Sequence, residues 1–275
     1  MSVTTRLFEE LWVNYQPERA GAADFWDRRA PSFNDHVRRD ASREHRRHLV
    51  GHMARKAQLG PSGAVLDIGC GPGSHALEIA SLAGSVEGFD LAPKMVELAK
   101  ENAARDGCAN AHFQVLDWAK ADIDSLGWRK KFQLVLASRT PAVNDRAALE
   151  KMIAASCGYC CMISQVDTRH SVRDRLKTLV DWDAHKERIS RSFYCAFNLL
   201  WLMGYYPEVE YMDRAWESDS SLEEAELMYL RFFESMGPLS EQQRESLTRA
   251  LTEISRDGRV HESVQSKVAI MFWAV

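Results

Sequence analysis

Residues 65–80 read VLDIGCGPGSHALEIA: an apolar run with Asp67 near its end, three glycines (Gly69, Gly71 and Gly73) in five positions, and an amphipathic stretch behind them. This order predicts a buried strand, a turn stripped of side chains, and a helix. Such a turn lets the backbone come close to a ligand and aims the free amides of a helix start at it. Phosphates, pyrophosphates and the polar parts of nucleoside cofactors are its usual occupants. A Walker loop is excluded because no Gly-Lys-Ser/Thr follows. Gly71, Gly73 and Ala76 do satisfy the dinucleotide spelling G-x-G-x-x-A, with Asp90 closing the next strand. Asp67 points elsewhere, since a carboxylate ahead of the first glycine repels a pyrophosphate and welcomes an ammonium group.

Outward from this stretch, short apolar runs recur at 85–90, 111–117, 132–138 and 159–164, separated by helix patterns at 74–83, 93–106 and 144–156. The alternation is that of βαβ units and a parallel sheet. Pro93 opens the second of these helices and Gly107 ends it. Residues before Gly60 read as helices, and 171–204 reads as helical with a sixth strand to follow. Helices near 221–236 and 240–257 then precede a last strand at 266–275. The expected division is a helical cap or lid over 1–60, a cofactor-binding core over 61–170, and over 171–275 the rest of the core with helical insertions that cap the substrate.

With these landmarks in order, the chain resembles the class I S-adenosylmethionine-dependent methyltransferases. VLDIGCGPG is similar to their motif I, VEGFDLAPKMVELAK to motif II and FQVLDW to the third landmark, while LVLASRTPAV stands where motif IV leads to the substrate. The resemblance covers about residues 40–275. It implies a Rossmann-like, doubly wound α/β fold with a seven-stranded, mostly parallel sheet, a helical N-terminal lid and a helical insertion before the last strand. It also implies S-adenosylmethionine as cofactor and S-adenosylhomocysteine as product.

On that carry-over Asp67 and the amides of Gly69, Gly71 and Gly73 hold the methionyl portion, and Asp90 takes both ribose hydroxyls. Asp117 meets the adenine amino group and Trp118 lies against the ring, with Cys70, Leu91, Met95 and Ser138 completing the cofactor set. For any one of these aspartates a turn or cap is the alternative role.

Methyl transfer from a sulfonium is an in-line displacement, in which proximity supplies most of the rate and a dedicated base is optional. SRTP at 138–141 lacks the Asn/Asp-Pro-Pro-Tyr that marks exocyclic-amino methyltransferases of nucleic acids. Arg139 and Thr140 stand there instead, and an arginine beside a sulfonium is reasonable when an anionic acceptor lies between them. Arg139 turned outward toward Asp145 is the alternative. FWDRRAPSFNDH at 25–36 is similar to the entry segment of small-molecule members, which makes Trp26, Arg29 and Phe33 lid candidates and His36 the candidate base. Helix packing is the competing role for Trp26 and Phe33.

A net charge of −4 and a pI near 6.2 give no global field for a polyanion, so the expected partner is a small molecule rather than nucleic acid. The basic run at 38–48 shares its helix with Leu49, Val50, Met53 and Ala57 and reads as a solvated face. An RNA methyltransferase, and an NAD(P)-dependent oxidoreductase or non-catalytic nucleotide binder, are the competing functions. No run of about 18 apolar residues predicts a membrane span, and no export signal is read at the start, so cytoplasm is expected, with a monomer or homodimer left open. The CxxCC cluster at 157–161 lacks the second pair of a zinc site and reads as a buried strand, so no metal is expected.

Overall fold

The computed structural model describes residues 3–13, 22–38, 40–180, 189–234 and 237–275. Three helices come first: α1 (Val3–Val13), α2 (Ala22–Arg38) and α3 (Asp40–Lys56). The alternating part runs β1 (Ala64–Ile68), α4 (Ser74–Ala80), β2 (Ser85–Asp90), α5 (Pro93–Asp106), β3 (Ala111–Val115), β4 (Phe132–Ser138), α6 (Arg146–Ala155) and β5 (Ser156–His170). After it come α7 (Arg173–Leu176), a 3-10 turn (Lys177–Leu179), α8 (Ile189–Leu202), β6 (Glu208–Ser221), α9 (Leu222–Glu234), α10 (Glu241–Ile254) and β7 (Arg259–Ala274).

All seven strands join one sheet in the order β3-β2-β1-β4-β5-β7-β6. β1 pairs parallel with β2 and β4, β2 with β3, and β4 with β5. Backbone bonds from Val275 to Gly158 and from Ser171 to Ser263 make β7 antiparallel to β5. The fold class is therefore the expected one. The central strands are covered on both faces, so they are mainly apolar, with Val65, Leu66, Ile68, Leu134, Val135 and Leu136 all inaccessible to solvent. Pro93 occupies the first turn of α5, and Gly107 ends it in the left-handed conformation (φ 68°).

Among the described residues, one compact unit gathers those up to Ser164 together with Arg191–Glu210 and Ile270–Val275; a second gathers Gln165–Ser190 and Tyr211–Ala269. These units interleave along the chain, with β5, β6 and β7 each running from residues of one into residues of the other. β7 begins at Arg259 rather than 266, since the inward positions of its first half include Glu262 and Ser266, which break the apolar alternation. Within 171–204, α7 is four residues long and α8 carries the helical pattern, while 181–188 lie outside the described residues.

The second unit packs α9 and α10 through Tyr229, Phe233, Leu247 and Leu251 around Leu176 and Val260. Glu262 is buried beside this cluster and its Oε1 accepts three bonds: from Tyr229 Oη (2.5 Å), from the Arg173 amide (3.3 Å) and, at 3.3 Å, from His170 Nδ1. Burial alone would push this carboxyl up; the His170 and Tyr229 hydrogen bonds outweigh it and hold the group below the usual carboxylate range. Its stabilising contribution is therefore present above the unfolded carboxylate value and lost as pH falls through the lower folded one. Tyr229→Phe removes one donor to a buried anion and is expected to cost about 1.5–3 kcal/mol in thermal unfolding. An unchanged melting temperature would mean that the hydroxyl adds nothing.

Among the described residues no helix is long and apolar enough to cross a membrane, and no group of three or more His, Cys, Asp or Glu is arranged to hold a metal. Cys160 and Cys161 are buried in β5, where burial pushes both thiols up, and Cys157 is exposed.

Candidate active site

β1 and β4 are neighbours, yet the chain leaves them toward opposite sides of the sheet, which opens a crevice at their carboxyl ends. The glycine turn fills this place. Gly69 (φ 66°), Gly71 (φ 54°) and Gly73 (φ 79°) are all left-handed. At Gly69 there is a second reason for glycine: a Cβ would lie 2.0 Å from Thr140 Oγ1, so the β4 tip crosses over bare backbone. The Cys70 amide donates to Phe89 O (2.9 Å) and the Gly73 amide to Cys70 O (3.1 Å), which ties the turn to β2 and closes it on itself.

Two buried polar atoms at this crevice have no hydrogen-bond partner among the described residues: Asp67 Oδ2 and Ser138 Oγ. They lie at the tips of adjacent strands, since Asp67 pairs with Leu136, two residues before Ser138. A buried polar atom left without a partner is costly unless something else supplies one. Burial, with the negative charge of Asp90 adding to it, pushes the Asp67 carboxyl up to about 7 against the Ala76 amide hydrogen bond. Asp90 takes the Gly71 amide on Oδ2 (2.9 Å) and the Ala92 amide on Oδ1 (3.0 Å), and burial raises its pKa as well. A buried carboxylate, Asp67, and a half-buried one, Asp90, at one crevice fit a ligand that brings a cation and hydroxyl groups.

A family model described as "Methyltransferase domain" matches residues 59–195, the span of the glycine turn and both carboxylates. The chain belongs to the class I S-adenosylmethionine-dependent methyltransferases. It is 34% identical over 116 residues to a 23S rRNA (uracil(1939)-C(5))-methyltransferase of Xylella fastidiosa, a match that covers 40% of this chain and 26% of that protein. To a protein-L-isoaspartate O-methyltransferase of Protochlamydia amoebophila it is 37% identical over 82 residues, 30% of this chain and 36% of that protein. The chain thus spans about a quarter to a third of the length of these curated relatives. A solved structure from Bacillus halodurans C-125, assigned as a candidate methyltransferase, superposes with a TM-score of 0.51 at 14% identity, covering 82% of this chain and 97% of that one. This last likeness concerns the fold.

In this chain some of the roles expected from the resemblance change. Trp118 is not available to an adenine ring: it is 2% exposed, stacks on Phe89 (centroids 5.3 Å apart) and donates its indole N–H to Ala148 O (3.2 Å). Cys70 is scaffold rather than cofactor ligand, with its amide on Phe89 O, its carbonyl taken by Gly73 and its thiol turned inward near the Gly88 Cα. The Gly71 and Gly73 amides are likewise engaged, by Asp90 and by Cys70, so they shape the seat instead of gripping the methionyl group. Asp117 accepts from the Ala119 amide (3.0 Å) and lies 3.5 Å from Lys120 Nζ, a turn role that leaves its half-buried carboxylate with spare lone pairs. Leu91 is partly exposed just beyond Asp90, while Met95 is buried against Ala30 and Ala92.

Above the turn lies α2. Phe33 Cε1 is 3.7 Å from where a Gly71 Cβ would be, so its exposed ring lies over the middle glycine of the turn. Trp26 packs into the Ala30–Ala92–Met95 cluster, and Arg29 lies over the Phe25 ring at 5.1 Å, exposed with His36 on the same flank of the helix. Arg139 is exposed in the left-handed conformation (φ 51°), with its amide bonded to Ile163 O (2.8 Å).

Two buried features had no clear signal in the pattern. His75, the second residue of α4, is held neutral by burial and by Arg139, Arg46 and His45. Asn34 and Asn102 form a polar pair between α2 and α5. The basic run at 38–48 is only partly a solvated face: Arg46 is buried, and Arg43, Arg46 and Arg47 converge on Glu78.

Proposed function

We propose that the chain transfers the methyl group of S-adenosylmethionine to a small molecule that carries an anionic group. The cofactor supplies an activated methyl on sulfur, and the chain's part is to hold the acceptor in line with it and keep water out. Asp67 receives the ammonium, Asp90 the ribose hydroxyls and Asp117 the adenine amino group, and Phe33 closes over the turn. Ser138 Oγ donates to the methionyl end.

The observation that carries the acceptor reading is the conformation of Arg139. A non-glycine residue with positive φ at a strand tip is uncommon and marks a constrained site. With its amide bound to Ile163 O, the residue stands between Ser138 and Thr140 at the tip of β4, beside the crevice. There it offers a fork for a carboxylate or phosphate. Arg139→Met is expected to raise the acceptor KM about tenfold or more while leaving the S-adenosylmethionine KM unchanged. Equal kinetics with the wild type would remove the anionic acceptor from this reading.

The rRNA methyltransferase match favours a second reading, methylation of RNA. Labelled S-adenosylmethionine offered with bulk rRNA in parallel with a panel of small carboxylated acceptors separates the two. Label transferred to RNA alone would replace the small-molecule reading.

A further inference from the structure

Asn102 is 2% exposed in the middle of α5, a place where an amide is costly unless each of its polar atoms is used. All are used. Nδ2 donates to Asn34 Oδ1 on α2 (2.8 Å) and to the carbonyl of Pro72 in the glycine turn (2.9 Å), and Oδ1 accepts from Arg38 Nη1 (2.9 Å). The orientation of the amide follows from chemistry, because a proline carbonyl only accepts and a guanidinium only donates.

The partners are spaced for the task. Asn34 and Arg38 are one turn apart on α2 and face Asn102 and Asp106, one turn apart on α5, with Arg38 Nη2 reaching Asp106 Oδ1 at 3.1 Å. Further along α2, Asp27 Oδ1 takes the Lys94 amide at the start of α5 (2.8 Å). The helix that carries Phe33 is thus fixed at both ends to α5. Through the single amide of Asn102 it is also fixed to Pro72, between the two glycines that Phe33 and Phe113 approach.

We propose that Asn102 is a positioning residue that couples the α2 lid to the cofactor turn, so that the placement of Phe33 and the shape of the glycine turn are set together. The inference rests on the cofactor reading above. It touches no atom of the ligand and acts through Asn34 and Pro72.

Two isosteric changes test it by calorimetric titration with S-adenosylhomocysteine. Asn102→Asp loses both donors, and about tenfold weaker binding is expected; Asn34→Asp keeps the acceptor oxygen and is expected to bind within about twofold of wild type. Both replace a buried amide by a carboxyl of the same size, so a role in packing alone would move the two equally. Equal losses, or wild-type affinity in Asn102→Asp, overturn the proposal. Should Asn102→Asp fail to fold, Asn34→Ala removes the lid's bond and leaves Asn102 on Pro72; about tenfold weaker binding supports the coupling and wild-type binding overturns it. A wild-type chain that ignores S-adenosylhomocysteine defeats the cofactor reading instead, which keeps the two failures apart.

Discussion

Binding of S-adenosylhomocysteine is expected to weaken about tenfold for each pH unit below about 7, and to level off above it. Asp67 in the free protein is the cause. Its carboxyl is buried, Oδ2 has no partner, and burial with Asp90 nearby pushes its pKa to about 7. The groups that face it are Asp90, the Ala76 amide and the Cys70 thiol, which burial and both carboxylates keep protonated. A ligand ammonium favours the ionised form, so binding below pH 7 must first expel a proton.

The same shift has a sign for stability. A carboxyl raised in the folded state removes stability as pH rises from its unfolded value of 3.8 through about 7. The ligand returns that stability, so its thermal stabilisation is expected to be larger at pH 8 than at pH 6. In Asp67→Asn both dependences are expected to flatten, with weaker binding at every pH. Calorimetry from pH 5.5 to 8.5, in buffers of differing ionisation enthalpy, reads the proton directly. A flat affinity in the wild type would remove Asp67 as the ammonium's partner.

Gly69→Ala is expected to cost roughly 2–5 kcal/mol of stability and to abolish measurable cofactor binding. Two terms add. The residue sits at φ 66°, where an L side chain costs about 1–2 kcal/mol. The new Cβ would also meet Thr140 Oγ1 at 2.0 Å and its Cβ at 2.7 Å, and displacing the β4 tip costs about 1–3 kcal/mol more. The double change Gly69→Ala with Thr140→Gly removes the clash but not the strain, so about half of the lost stability is expected to return. Thermal unfolding of the two variants measures the split. An additive or larger loss in the double variant would mean that Thr140 does not press on the turn.

How far the sequence could be read depended on where each residue's partners lay. β1, β2, β4 and α5 were legible because their signals are local: short, mainly apolar runs for the strands, and Pro93 with Gly107 at the helix ends. The first half of β7 was hidden because Glu262 takes an inward position that only Tyr229, His170 and the Arg173 amide make tolerable. Trp118 follows an acidic residue just as an adenine-stacking side chain would, yet the pattern around it says nothing of Phe89 on one side and Ala148 O on the other.

The sequence by itself determined the strand–turn–helix seat, the succession of strands and helices along the chain and the three carboxylates near the strand ends, because apolar runs, glycines and charges act within a few residues of where they are written. Only the tertiary structure decided which polar atoms are left for a ligand. Asp67 Oδ2 and Ser138 Oγ remain without partners, whereas the Gly71 and Gly73 amides are used up inside the protein. A hydrogen bond's availability depends on every neighbour within about 3 Å. Those neighbours, such as Asn102 beneath Pro72, arrive from parts of the chain that no local pattern connects.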